Sequence, residues 1–220
     1  MYFAFFNILI NIDELRNKYS MAELLVFIIS NTFGWKYPEV PIPIQLQLNK
    51  KNFDFADNFI KQKELEKISI LNISAGSDYR QWSIDKNIEL LTSIFEKDNK
   101  VNFVITSSPK EIEKAEAIKS FFPNRVEVFT KTYDILDIAA IISKSELVIT
   151  PDTSITHLAA AFRIPIIVLY STLASHSKEW EPLGSKSIII STKERQALEY
   201  IEVKDIVFAY FKMKDIVNKK

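Results

Sequence analysis

The 220-residue sequence contains no cysteine, two histidines and three glycines. Without cysteine, neither a disulfide framework nor a thiolate metal site can form, and this accords with a reducing cytoplasm. Two histidines leave no ligand set for a zinc cluster. The chain also lacks an Asp-x-Asp pair, a Walker-type glycine loop and a Gly-x-Gly-x-x-Gly run. Any phosphate handling therefore falls to backbone amides, Arg and Lys rather than to a bound metal. Net charge is absent as well: Lys+Arg and Asp+Glu each total 28, so no overall field draws the chain to nucleic acid. The apolar start, MYFAFFNILI, has no basic flank and no small-residue cleavage site, and it is too short to span a bilayer. It is expected to be a strand or helix belonging to a larger domain.

Hydrophobic residues make up 47% of the chain and charged residues 25%, the balance of an ordinary globular protein. From Ile68 onward, short β-branched runs alternate with longer amphipathic stretches. Strands are expected at Ile68–Ile73, Val101–Thr106, Val126–Phe129, Glu146–Thr150, Pro165–Tyr170 and Ser187–Ser191. Helices are expected at Ser83–Asp98, from Ser108 to about Phe122, and at Asp134–Ser143, Thr153–Phe162 and Val203–Val217. Strands that are apolar throughout and alternate with helices imply an α/β domain. It would be a Rossmann-like, doubly wound parallel sheet covered on both faces. This domain is assigned to residues 66–220. Residues 1–65 are assigned to a smaller segment without its own core. Within that segment Met21–Phe33 reads as an apolar helix stopped at Gly34, Ile44–Leu48 alternates like a strand, and Phe53–Lys63 reads as a short helix.

In an open parallel sheet, ligands bind where the carboxyl ends of strands face helix N-termini. Three loops of this sequence take that position. In Pro151–His157, Asp152 is placed to cap the following helix, leaving the amides of Thr153 and Ser154 at its positive end, an anion site suited to a diphosphate. His157 stacks one turn further on the face of Thr153. An ordinary N-cap followed by a buried histidine reads equally well. In Ser74–Arg80, Gly76 permits either a positive φ or a close backbone approach, and Arg80 can pair with phosphate oxygens. A solvated loop is the plainer account of the same residues. In Ser107–Glu111, Glu111 most simply completes a capping box with Ser108, and otherwise offers a carboxylate to ribose hydroxyls.

These loops also carry a resemblance. The run TPDTSITHLAAAFRIPIIVLY, Thr150–Tyr170, looks like the signature of glycosyltransferase family 9. Upstream, NISAGSDYRQWS at Asn72–Ser83 is similar to that family's glycine-containing loop, and Trp180 with Pro182 matches its Trp-x-Pro element. The resemblance covers about Met21 to the end. It implies the C-terminal, donor-binding half of a GT-B fold, with a remnant of the acceptor-binding half before it.

The implied activity is transfer of a sugar, usually heptose, from an ADP-sugar to a lipopolysaccharide-core acceptor. The reaction would invert the anomeric carbon and use neither metal nor cofactor. The implied donor contacts are Ser74, Gly76, Arg80, Glu111, Asp152, Thr153, Ser154 and His157. Asp152 would hold sugar hydroxyls, Thr153 and Ser154 phosphate, Arg80 the diphosphate and Glu111 the ribose. Ser154 stands where the family has Gly.

The family's general base lies near the start of the other half, in about a hundred residues not matched in this sequence. The chain is therefore expected to be inactive alone. A separately supplied N-terminal half, self-association and a cytoplasmic site in peripheral contact with the inner membrane follow as expectations. A non-catalytic nucleotide-sugar-binding module is the other reading of the same residues.

Overall fold

The computed structural model describes residues 15, 18–36, 45–129, 134–173 and 179–219. The apolar run at residues 1–10 and the first residue of the expected strand at 44–48 lie outside them. The chain divides into two compact units, residues 1–43 with 175–181, and residues 44–174 with 182–220. No helix among the described residues is long and apolar enough to cross a membrane.

In the first unit, α1 (Met21–Phe33) has the expected bounds. Its start is fixed by a capping box: Ser20 Oγ accepts from the Glu23 amide, and the Glu23 carboxylate accepts from the Ser20 amide at 2.8 Å. Its end is fixed by Gly34 at φ 67°, which donates its N–H to the Ser30 carbonyl.

The second unit opens with α2 (Lys50–Gln62) and then alternates strand and helix. Its further elements are β1 (Lys67–Asn72), α3 (Ile84–Phe95), β2 (Val101–Thr106), α4 (Ile112–Ser120), β3 (Val126–Phe129) and α5 (Ile135–Ser143). These are followed by β4 (Leu147–Pro151), α6 (Ser154–Ala161), β5 (Ile166–Tyr170), β6 (Ser187–Ser191) and α7 (Val203–Asn218). The described strands form one sheet of order β3-β2-β1-β4-β5-β6, and every pairing is parallel. Each of β1, β2, β4 and β5 is buried at nearly every position, because helices cover both faces.

One face packs Leu90, Leu91 and Ile94 of α3, Ile118 of α4 and Tyr210 of α7 on Phe103, Ile105 and Ile149. The other packs Ala56 of α2, Ile141 of α5 and Ile155 of α6 on Ile70, Val104 and Val168. A buried hydrogen bond of 2.8 Å from Asn52 Nδ2 to Asp137 Oδ1 ties α2 to α5. The order reverses between β1 and β4, and at that point the loops after these two strands diverge and leave a crevice.

Three local expectations are corrected. Residues 45–48 are irregular: Leu46 and Leu48 are less exposed than Gln45 and Gln47, so the alternation is real, but no strand among the described residues pairs with it. The capping box at Ser108 does not form. Pro109–Glu111 is a 3₁₀ turn without a side-chain cap, and α4 begins only at Ile112. The reason is competition, since the Ser108 amide that Glu111 would accept from already donates to Ser74 Oγ at 2.7 Å. Finally, Thr153 and not Asp152 caps α6, its Oγ accepting from the Ile155 amide. Asp152 is held back in the strand register by its own amide, which donates to the Leu169 carbonyl at 3.1 Å.

Candidate functional site

The crevice at the β1/β4 reversal opens into a cavity of about 560 Å³. Its polar side carries Asn72, Ser74, Gly76, Thr153 and Ser154, and its apolar side Phe129, Ile135 and Ile138. The polar side comes from chain ends that must turn outward once their strands stop pairing. Ser154 is the first residue of α6, so its amide has no carbonyl one turn back within the helix to bond. Ser107 Oγ is buried in the cavity wall and meets no partner among the described residues. A buried hydroxyl left so is costly unless a ligand satisfies it.

Arg80 closes the 3₁₀ turn Asp78–Arg80 beside this cavity. Its Nε donates to Ser77 Oγ at 3.2 Å, and its Nη1 donates to the Asp152 carbonyl at 3.3 Å. Nη1 also stands 3.7 Å from Asp152 Oδ2. The guanidinium lies against Gly76: a Cβ on that glycine would meet Arg80 Nη2 at 3.0 Å. Gly76 is not in the left-handed region, so of the two uses open to it, close approach is the one realised, and what approaches is Arg80.

Burial pushes the Asp152 carboxyl above the usual carboxylate range, and the Arg80 and His157 charges pull it only part of the way back. At 3.7 Å the ion pair is too long to outweigh the lost hydration. His157 is half-buried and its imidazole is held below its ordinary value, again by burial, with Asp152 opposing. The histidine is therefore neutral near pH 7 and close enough to Asp152 for their charges to interact.

Of the eight residues singled out from sequence, Ser74, Gly76, Thr153 and Ser154 line the cavity. Arg80, Asp152 and His157 gather beside it, around the Asp152 carboxylate. Glu111 stands at the rim, where Gln81 Nε2 donates to the Ala75 carbonyl at 3.2 Å and to Glu111 Oε1 at 3.4 Å. Sequence reasoning passed over Asn72, Gln81, Thr106 and Thr150. The available signal for the first was an amide at the end of an otherwise apolar strand. Among the described residues, no group of three or more His, Asp or Glu side chains is placed to hold a metal ion.

A family model described as glycosyltransferase family 9 (heptosyltransferase) matches residues 6–207. The chain belongs to this family. Among curated family relatives, the lipopolysaccharide core heptosyltransferase OpsX of Haemophilus influenzae is 28% identical over 134 residues, covering 58% of this chain and 36% of OpsX. Two solved structures share the fold. A family 9 glycosyl transferase of Veillonella parvula superposes with a TM-score of 0.77 at 15% identity, over 90% of this chain and 61% of that one. The E. coli heptosyltransferase WaaC, solved with ADP, gives 0.62 at 16% identity, over 85% and 54%. The chain thus spans between about a third and three fifths of the length of these relatives.

Proposed function

We propose that this chain holds the nucleotide-sugar donor for a heptosyltransferase-type transfer to a lipopolysaccharide-core acceptor. The observation that carries this reading is the gathering of Arg80, the N-terminus of α6 and an unmet serine hydroxyl around one cavity at the sheet reversal. Cationic and N–H donors converging there, beside an apolar wall, suit an ADP-sugar: phosphates at the polar side and the base against Phe129, Ile135 and Ile138.

In this reading the Ser154 amide and the Thr153 hydroxyl bind the diphosphate, and Gly76 lets the Arg80 guanidinium come close enough to share it. As the glycosyl–phosphate bond breaks, negative charge grows on the departing diphosphate, and Arg80 with the α6 dipole stabilises it. Asp152 faces the sugar hydroxyls. Glu111, with Gln81 at the rim, receives the ribose. The acceptor hydroxyl attacks from the opposite side, with inversion, and its proton is taken by a base outside these residues. No metal is assigned a part, and the acceptor places the reaction at the cytoplasmic surface of a membrane.

The test is isothermal calorimetry of the purified chain with ADP and with an ADP-sugar, with and without a chelator. Micromolar binding that survives the chelator supports the reading, and binding that vanishes with it sinks the metal-free part. Sugar transfer to a core acceptor by the 220 residues alone would bring the base into this stretch.

A further inference from the structure

Asn72 ends β1, is 4% exposed as a residue and lines the cavity. Its carboxamide touches the ends of β2 and β4 and the loops that follow β1 and β4. Nδ2 has two hydrogens for three acceptors, the Ser74 carbonyl at 3.0 Å, Thr150 Oγ at 3.0 Å and Thr153 Oγ at 3.2 Å, so one hydrogen goes to Ser74 and the other is shared between the two hydroxyls. Oδ1 accepts from the Ser74 amide at 3.3 Å and from the Thr106 hydroxyl at 3.5 Å. The two contacts to Ser74 fix which way the amide faces. A backbone N–H cannot accept and a carbonyl cannot donate, so the reversed carboxamide would set like against like at both.

With the orientation fixed, protons can be assigned one by one. Thr150 donates its hydroxyl hydrogen to the Pro151 carbonyl at 2.8 Å, its shortest contact. Thr150 Oγ is therefore an acceptor toward Asn72. Thr153 Oγ has two lone pairs: the Ile155 amide takes one at 3.3 Å and Asn72 Nδ2 the other. Its remaining capacity is its own hydrogen. Among the described residues the protein acceptor within reach is Thr150 Oγ, 3.3 Å away, with one lone pair already turned to Asn72. A charged oxygen in the cavity that Thr153 lines is the stronger acceptor.

We propose that Asn72 is a positioning residue for the anionic part of the ligand. By placing one hydrogen between the Thr150 and Thr153 oxygens, it turns a lone pair of each toward itself and biases the Thr153 hydroxyl toward donating into the cavity. The same carboxamide holds the Ser74 backbone on its other edge, so one buried side chain sets both walls of the phosphate-binding side. This rests on the reading of the cavity as a diphosphate site. It adds that the polarity of Thr153 is imposed by a residue 81 positions away in sequence.

The substitution that separates this from mere packing is Asn72→Asp, which keeps the shape and removes both hydrogens. Above the pKa of the new carboxyl, its oxygens accept from Thr153 and Thr150 and turn the Thr153 hydrogen away from the ligand. Below that pKa the protonated acid again carries a donor.

The experiment measures the dissociation constant of ADP by calorimetry from pH 7.5 down to 5. The proteins are the wild-type chain, Asn72→Asp, Thr153→Val and the double variant, with a melting curve for each. Wild type binds. Thr153→Val and Asn72→Asp each weaken binding at pH 7.5 by about tenfold or more, the worth of a charge-assisted hydrogen bond. The Asn72→Asp loss relative to wild type shrinks as pH falls. In the Asn72→Asp background, Thr153→Val costs less than about twofold more, because the donor is already lost.

Losses that multiply, or a ratio of Asn72→Asp to wild type that is flat in pH, overturn the inference while leaving the donor site standing. Failure of the wild-type chain to bind ADP overturns the site reading and this inference with it. If Asn72→Asp does not fold, Thr153→Ser against Thr153→Val decides: retention by Ser and loss by Val supports the donor role, and equal affinity refutes it.

Discussion

The Arg80 guanidinium and the Asp152 backbone carbonyl meet at 3.3 Å across 72 residues of sequence, and the Asp152 carboxylate stands 3.7 Å from the same nitrogen. The contact joins the loop after β1 to the loop after β4, so the arginine is pre-aimed before any ligand enters. A guanidinium with one edge already bound loses less freedom on pairing with phosphate than a solvated one.

Arg80→Ala is expected to weaken ADP binding by about 1.5–3 kcal/mol, the usual worth of a hydrogen bond to a charged group. Arg80→Lys recovers part of the affinity, since a lysine supplies charge without the fork. Calorimetry of the three proteins in chelator gives the order, and affinity indifferent to Arg80 removes the diphosphate from this place.

Gly76→Ala should act through Arg80 and hardly at all through the backbone. The added Cβ meets a guanidinium nitrogen at 3.0 Å, and the end of a flexible side chain can move. Stability should therefore change by less than about 1 kcal/mol. ADP affinity should fall severalfold, with no further fall when Gly76→Ala is placed on Arg80→Ala. An additive double mutant would show that the glycine serves something else.

His157 offers a spectroscopic check on the charge arrangement. Burial lowers its pKa, and the Asp152 carboxylate opposes that lowering by favouring the imidazolium. Removing the carboxylate charge in Asp152→Asn should lower the His157 midpoint further in an NMR titration. A midpoint that rises means the two groups do not face one another as described.

Away from the site, Asp98 accepts from Lys214 Nζ at 2.5 Å and pins α7 to the end of α3. Burial alone would raise its pKa, but the Lys214 hydrogen bond and charge, with the amides of Lys100 and Val101, win, and the value is held below the usual carboxylate range. A depressed folded pKa contributes stability that is present above the unfolded value and lost as pH falls through the folded one. Asp98→Asn should therefore cost about 1 kcal/mol at pH 7, modest because the pair is partly solvated. The gap between variant and wild type in urea unfolding should close below about pH 4. A gap constant down to pH 2 would show that the charge is not what stabilises.

Sequence alone determined the sheet domain. The apolar runs at Val101–Thr106, Val126–Phe129 and Ser187–Ser191 became strands with those bounds, because continuous β-branched stretches have few other stable homes. The helix Met21–Phe33 was equally legible, since its capping box and its stopping glycine act locally. The loops after β1 and β4 could also be placed side by side, because parallel topology puts them at one edge of the sheet.

Tertiary structure decided what each loop residue does there. Asp152 reads as a cap from its neighbours, but the Leu169 carbonyl holds its amide in the sheet and passes the cap to Thr153. Ser108 and Glu111 spell a capping box, yet Ser74, 34 residues earlier, takes the amide that the box requires. Asn72 shows locally only as an amide ending an apolar strand, and its partners are settled where strands distant in sequence end side by side. Local patterns fix elements because the competing groups are neighbours in sequence. At the crevice the competitors for each donor and acceptor are neighbours only in space, and geometry chooses among them.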